Sequence, residues 1–378
     1  MSVPVSRERF DVAIAGGGPV GCALGAALAG SGVSVLQIRD GAAAQDRPIA
    51  LSYGSRQILQ RLGYWTGNTG TPIATIHVSQ QHGFGRTVIS AGDYGLPALG
   101  YVVSYVDLLA SLSSRESGPV VPGKVLAWTV DPDAVRVRVA TADTAYQCSA
   151  RLLVLADGAD AADEVRDYEQ CAVVATMRTE RPHRFIAWER FASQGPIALL
   201  PYRDFHALIW SVPTQSVTSL LESPPDAFVA RLQAAFGDRL GRFQLLGARS
   251  AFPLALRLSR TPPALRVLPI GNAAQTLHPV AGQGLNLGLR DAAELAEQVL
   301  ATPGNELGSR DFLRRYWNRR RLDREGSIRF TDALVRVFSH PSPSLAALRG
   351  AGLLLLDVIP PARHFLARRM MFGGRALP

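Results

Sequence analysis

Along the chain, apolar and polar positions first organise at residues 11–15, a short and almost wholly apolar run with the character of a buried strand. A glycine-rich turn follows, then a small-residue helix over 20–29 and a second apolar strand over 33–38, which together read as a βαβ opening. Residues 52–62 carry a helical pattern. Residues 73–88 and 172–212 hold strand-like runs with no long helix between them, which predicts a separate, largely antiparallel sheet. Residues 152–155 form a brief apolar strand ahead of Asp157-Gly158, residues 267–270 form another, and 284–300 read as a clear helix. Proline-rich stretches at 223–226, 261–263 and 341–344 mark breaks, and no segment repeats another.

The first and last strand-turn-helix units both look nucleotide-related. The expected fold is therefore α/β: a Rossmann-like nucleotide-binding domain built from separated segments, a mainly antiparallel β-sheet substrate domain, and C-terminal helices.

Bulk properties narrow the function. A length of 378 residues suits one large or two medium domains, and 47% hydrophobic with 19% charged residues argues against disorder. The net charge of +9 is carried almost wholly by arginine, Lys124 being the one lysine. Such a surface fits nucleic acid, anionic membrane or anionic small ligands. The arginines are scattered apart from 314–324 and 363–369, and no nucleic-acid-binding signature accompanies them. Cys22, Cys148 and Cys171 lie far apart without CxxC spacing, so they read as buried thiols in a reducing, cytoplasmic compartment. Strand-like sequence by Asp11 leaves no expected room for a leader, and the apolar run at 353–356 is stopped by Asp357.

Three motifs carry chemistry. Gly16-Gly17-Gly18-Pro19-Val20-Gly21 is a GxGxxG directly after a strand and at a helix start. Glycines there permit a tight turn and close approach to a pyrophosphate, which the helix N-terminus stabilises. The motif does not separate FAD from NAD. At the end of the second strand, where a ribose-binding acid is expected, stand Arg39 and then Asp40. Arg39 would favour a 2′-phosphate; the preferred reading is that Asp40 contacts the ribose and Arg39 is a solvated strand-end residue. The second motif, Asp157-Gly158 after an apolar strand, taken alone reads as an ordinary turn. The third and strongest spans residues 271–291 and runs from a strand into a helix. Gly282 and Gly284 let the backbone pass close to a flat ligand. The N–H groups of Gly284, Leu285 and Asn286 start the helix and can face a flavin edge where negative charge develops on reduction.

In order and spacing these motifs resemble those of the class A flavoprotein monooxygenases, the p-hydroxybenzoate hydroxylase-like group. Within it the chain looks most like the ubiquinone-biosynthesis hydroxylases, in particular the 2-octaprenyl-6-methoxyphenol hydroxylases. Residues 46–52, 62–65, 76–79, 83–85, 99–103, 189–191, 195–201, 331–332 and 337–339 match that subgroup, so the resemblance covers nearly the whole chain. Asn272, Gln275 and His278 follow its GNAAQTLHP pattern, where relatives acting at other ring positions have GDAAHTINP. The resemblance implies an FAD-binding domain at 1–70, 98–168 and 262–330, a substrate sheet domain at 71–97 and 169–261, and a C-terminal helical segment at 331–378. It implies cofactor contacts at Gly16, Gly18, Gly21, Asp40, Arg47, Asp157, Gly158, Asn272, Pro279, Gly282, Gln283, Gly284, Leu285 and Asn286. The chain departs from the family at Arg39, usually Glu; at Ala161, where Ser is usual, with Arg166 two residues late; and at Tyr105, where Asn is common.

The implied activity is hydroxylation of a polyprenylated methoxyphenol with FAD, NAD(P)H as electron donor and O₂ as co-substrate, in ubiquinone biosynthesis. The cofactor carries the hard chemistry, so no acid–base dyad need be visible, and no catalytic residue is assigned. His278 can be a base or a loop-shaping residue; His183 reads as a turn residue, and His77 and His82 as supports within a sheet. Trp188, Leu199, Pro201 and Trp210 are the expected apolar substrate lining. No metal pairing, GxSxG elbow or P-loop is present. The expected partners are a lipophilic phenol and other proteins of ubiquinone biosynthesis, with no nucleic acid. Basic and apolar residues over 362–372 fit either an interfacial helix on the inner face of the bacterial membrane or a helix packed on the domain. Two alternatives stand beside this reading: a hydroxylase of another ring position or another small aromatic, and a degenerate flavin-binding scaffold subunit.

Overall fold

A computed structural model of the chain describes residues 5–41, 45–65, 69–81, 83–114, 118–142, 145–158, 162–260, 265–339 and 343–376. The first half runs β1 (Val5–Ala15), α1 (Pro19–Leu28), β2 (Val35–Arg39), β3 (Pro48–Ser52), α2 (Tyr53–Arg61), β4 (Thr71–Ile73), β5 (Thr75–Gln80), β6 (Arg86–Ser90), β7 (Gly100–Ser104), α3 (Tyr105–Ser113), β8 (Val120–Pro122), β9 (Lys124–Val130), β10 (Val135–Ala140) and β11 (Ala145–Leu155). The second half continues β12 (Glu164–Thr179), β13 (Ile186–Ala192), β14 (Gly195–Tyr202), β15 (Phe205–Pro213), α4 (Val217–Glu222), α5 (Pro225–Phe236), β16 (Phe243–Leu258), β17 (Val267–Pro269), β18 (Gln275–Thr276), α6 (Gln283–Leu300), α7 (Arg310–Ser339), α8 (Pro343–Val358) and α9 (Pro360–Phe372).

A seven-stranded sheet has the order β8-β2-β1-β11-β10-β9, with β17 also paired to β11. The pairings of β1 with β2 and β11, of β2 with β8 and of β11 with β17 are parallel, and those of β10 with β11 and β9 are antiparallel. Val12 and Ile14 of β1 point into one core with Leu24 of α1 and Leu289 of α6, while Ala13 and Ala15 point into a second core with Leu36, Val137 and Leu153. Burial on both faces is why residues 11–15 read as a continuous apolar run instead of an alternating one. Each valine, isoleucine or leucine among them, removed from water, stabilises the fold by about 1.5–3 kcal/mol.

The eight-stranded sheet has the order β18-β16-β12-β15-β14-β13-β5-β6 and is antiparallel except where β13 meets β5. Strands alternate their side chains between faces. One face packs Val173, Leu199, Leu208 and Trp210 against Phe228 and Leu232 of α5. The other is turned to the interior cavity described below.

The arginine run at 314–324 lies in α7, and part of it is internal. Arg320 is 1% exposed and pairs with Asp291 at 2.7 Å, Glu294 at 3.1 Å and Asp323 at 2.9 Å. Arg290 of α6 pairs with Asp323 at 2.7 Å. These buried pairs hold α6 in register against α7; removing one partner of such a pair costs about 3–5 kcal/mol because it strands the other charge. Cys22, Cys148 and Cys171 are buried free thiols. Among the described residues no helix is long and apolar enough to cross a membrane.

Candidate active site

A cavity of about 1620 Å³ lies between the two large sheets. That exceeds the roughly 300–1,000 Å³ of a single-ligand pocket, leaving room for a dinucleotide and a second molecule. It begins at Ala15, Arg39 and Ala156, at the carboxyl ends of parallel strands β1, β2 and β11, where open α/β sheets bind their ligands.

The first turn, Gly16 to Gly21, enters α1 at this end. Gly18 is the N-cap and provides no side-chain cap, so the first N–H groups of α1 are left for a ligand. Gly16 and Gly18 line the cavity; Gly21 does not. A Cβ on Gly21 would sit 2.4 Å from the Gly16 carbonyl oxygen, so this glycine lets helix and turn close on each other. Asp40 and Arg39 both border the cavity. The Arg39 stem lies across Gly17, whose Cβ would come within 2.9 Å of it, and its Nη2 points to Cys22 Sγ at 3.5 Å. Tyr105 and Arg47 border the same end, the guanidinium 4.3 Å above the ring. Asp157 and Gly158 lie opposite, and a side chain at Gly158 would meet nothing within 4 Å. Ala161 falls outside the described residues. Arg166 turns away from the Asp157 turn and pairs with Asp332 of α7 at 2.9 Å.

The second turn enters α6. Gly282 is its N-cap in the left-handed region, φ +59°, again with no side-chain cap. Asn272, Pro279, Gly282, Gly284 and Leu285 line the cavity. A Cβ on Gly284 would meet no protein atom within 4 Å, so the space beside it is cavity. Gln283 and Asn286, expected to touch cofactor, do not line the cavity. Asn286 instead braces the turn: its Oδ1 accepts from Ser52 N–H at 2.7 Å, and its Nδ2 donates to Gly282 O at 2.6 Å and Ala50 O at 3.1 Å. Gln283 donates to the Met370 carbonyl of α9 at 3.3 Å. His278 is fully buried, and its Nδ1 accepts from the Val280 N–H at 3.1 Å. Burial holds it down to about pKa 4, hence neutral, and it shapes the loop. Gln275 is likewise internal, donating to Asp291 at 2.6 Å and accepting from Arg324 at 2.8 Å.

The far wall is the sheet face made by Ala187, Ala198, Leu200, Ile209 and Val174, with α7, α8 and α9 closing over it. The four residues expected to line it need correction. Leu199 and Trp210 sit one position off in the pleat and pack in the opposite core. Pro201, two residues from Leu199, is buried on that same opposite row and does not line the cavity. Trp188 borders the cavity, but its ring lies tilted against His77, centroids 4.6 Å apart, and meets Phe236 at 6.3 Å on the far side. His77 is held down to about pKa 4 by burial and nearby arginines, and Arg239 lies 2.9 Å from its Nε2; it supports the sheet. His82 is outside the described residues. His183 holds a turn, contacting Arg203 O at 2.7 Å and the Phe185 N–H at 2.9 Å.

Glu189 of β13 carries a carboxyl on this apolar wall, and nothing above singled it out. A lone acid inside the apolar strand sequence IAWERFA was the available signal. Burial pushes its carboxyl up to about pKa 8.

Two uncapped helix starts and open glycines facing one cavity provide donors for a pyrophosphate and a flat ring, and fit a flavin dinucleotide. A family model described as an FAD binding domain matches residues 9–331. The chain is 34% identical to a ubiquinone hydroxylase, UbiL, of Rhodospirillum rubrum, covering 96% of this chain and 89% of the relative. It is 29% identical to the 3-demethoxyubiquinol 3-hydroxylase of Escherichia coli, covering 93% and 96%. In fold it resembles p-nitrophenol 4-monooxygenase PnpA of Pseudomonas putida, with TM-score 0.78 and 16% identity over 97% of this chain and 100% of that one.

Proposed function

Because the chain belongs to the FAD-binding family of flavoprotein aromatic-ring monooxygenases, with FAD as cofactor, NAD(P)H as reductant and O₂ as co-substrate, we propose that it hydroxylates a polyprenylated methoxyphenol of ubiquinone biosynthesis para to the phenolic hydroxyl. The bound flavin supplies the oxygen-transfer chemistry. The protein's own contribution is to hold the dinucleotide at the α1 and α6 starts, to seat the ring against the sheet and to exclude water.

The observation that carries the greasy substrate is the cavity's outer end. Leu348, Leu355 and Leu366 of α8 and α9 line it, and Leu348 and Leu355 are at the same time 67% and 54% exposed. A wall that is both inner lining and outer surface is a portal through which a prenyl tail leaves the ring behind. Val358, Ile359 and Phe365 extend the apolar surface around that portal. The exposed Arg368 of α9 adds a positive charge to this apolar surface, a pattern complementary to an anionic bilayer. On this reading the α8–α9 corner rests on the membrane, and the α9 helix itself is part of the cavity wall. What supports the ring position is the Asn272, Gln275 and His278 pattern, of which Asn272 lines the cavity.

The experiment is to express the chain in bacterial strains each lacking one ring hydroxylase and to measure quinone by mass spectrometry. Restored quinone in the strain blocked at the para step is expected. Rescue of a different step, with none at this one, overturns the ring position and leaves the monooxygenase standing.

A further inference from the structure

The cavity wall carries a single charged side chain along its central row. Reading across the registered strands, the row is Thr87, Val78, Glu189, Ala198, Ile209 and Val174. Glu189 is the only ionisable group in it. Among the described residues its carboxyl makes no hydrogen bond and no ion pair, although leaving a polar group unpaired in an apolar setting is costly. Two residues further along the same face, Phe191 packs against Val280 of the loop that leads into α6 and stacks on Phe338 at 3.5 Å. Glu189 and the loop residues Pro279 and Val280 line the same cavity.

We propose that Glu189 is the catalytic base that accepts the phenolic proton of the substrate. The proposal rests on the reading above that the substrate is a phenol. The substrate hydroxyl supplies the partner this carboxyl lacks and fixes which edge of the ring meets the wall. In the reaction the phenol O–H bond breaks and its proton passes to a Glu189 oxygen as the ring carbon takes up one oxygen atom. That carbon then loses its hydrogen as a proton to restore aromaticity. Glu189 returns its proton to the first oxygen and is a carboxylate again. NAD(P)H and the ring each give two electrons, and O₂ ends as the new hydroxyl and water.

The surroundings suit this role. Val78 and Ala198 flank Glu189 on the neighbouring strands, and α7 presents Phe330, Leu334 and Phe338 to the cavity. Pro279 and Val280 of the loop are apolar, and Arg349 is the charged group that α8 contributes to the lining. Arg190, Arg239 and His77 cluster behind the sheet. Burial is the whole cause of the displaced carboxyl, with no charged neighbour contributing. A base near 8 is closer to a phenol's ordinary value of about 10 than a free carboxylate is, which is how general bases are matched to their protons.

The test compares wild type with Glu189→Gln and Glu189→Asp as FAD-loaded enzymes. With a polyprenylated 2-methoxyphenol, wild-type kcat is expected to rise through about pH 8. The Gln variant should keep its flavin and lose kcat by about 100-fold or more, with the pH limb moved up to the phenol's own ionisation. The Asp variant should keep the wild-type limb at reduced rate, and it serves as the test should the Gln variant not fold. A Gln variant with wild-type rate and pH limb overturns the assignment. If wild type hydroxylates none of these phenols, the substrate reading falls. The role of Glu189 is then decided by the ultraviolet phenolate band of bound 2-methoxyphenol. A midpoint lower in wild type than in Glu189→Gln supports the role, and equal midpoints overturn it.

Discussion

Helices α1 and α6 start at the same cavity from glycine-rich turns that look alike in sequence, yet their glycines answer to different neighbours. At α1 the neighbour is the protein itself. A Cβ on Gly16 would lie 2.5 Å from the Ala156 carbonyl carbon, and one on Gly21 would lie 2.4 Å from Gly16 O. At α6 the nearest atom to a Cβ on Gly282 is Ala50 Cβ at 3.5 Å, and Gly284 has none within 4 Å. The first turn needs glycine at 16 and 21 so that the fold can close; the second needs it at 284 so that something else can enter.

The largest effect that would break this contrast belongs to Gly21→Val. It should cost upwards of about 3 kcal/mol, as overpacking against backbone does, and yield little soluble protein. Chemical denaturation measures it, and an unchanged midpoint would remove the distinction. Gly284→Val comes next. Its denaturation midpoint should stay near wild type while FAD affinity falls about 100-fold, or about 2.7 kcal/mol, read by flavin released on dialysis. Equal losses of stability and flavin would show that the α6 turn, too, is a folding element.

A smaller effect separates the turns by pH. The α6 turn leans on neutral His278, held down to about pKa 4, against an ordinary value near 6.5. Because the folded value is the lower one, the unfolded chain takes up the proton first, so stability is present above about pH 6.5 and falls as pH drops toward 4. The α1 turn has no such group within it. Flavin release on acidification should therefore precede loss of far-ultraviolet circular dichroism. Coincident transitions would sink the idea that the α6 side loosens alone. The smallest change is expected of Arg39→Glu, which restores the acid usual at the end of β2. FAD binding should tighten by about threefold, or about 0.7 kcal/mol. Weaker binding would assign Arg39 a direct cofactor contact.

How much of this was legible in the sequence varied with the kind of pattern. The βαβ opening and α6 were readable because burial on both sheet faces and helical periodicity leave long, unambiguous runs. The antiparallel sheet was readable as a class, but its facing was not: residues 195–201 are apolar at nearly every position, so alternation could not say whether Leu199 or Leu200 faced the cavity. With one face against α5 and the other turned to the interior cavity, only packing decides the parity. Asn286 and Gln283 were read as cofactor contacts because they sit in the right motif. Their bonds run to β3 and α9, partners more than 80 residues away that no local pattern announces. Glu189 was visible as a residue and invisible as a site, since its meaning comes from the apolar row it interrupts.

The cavity wall extends from Ala15 to Met370, nearly the whole length of the 378-residue chain. On a ribosome adding about 5–20 residues per second, the two ends of that wall are synthesised roughly twenty to seventy seconds apart. Through that interval the α1 turn has been made, while α9 and the Met370 carbonyl that holds Gln283 do not yet exist. The cavity wall is thus completed only when α9 has been made. A shortage of flavin in the cell would leave a finished polypeptide with an open apolar interior, the state that chaperones and proteases recognise.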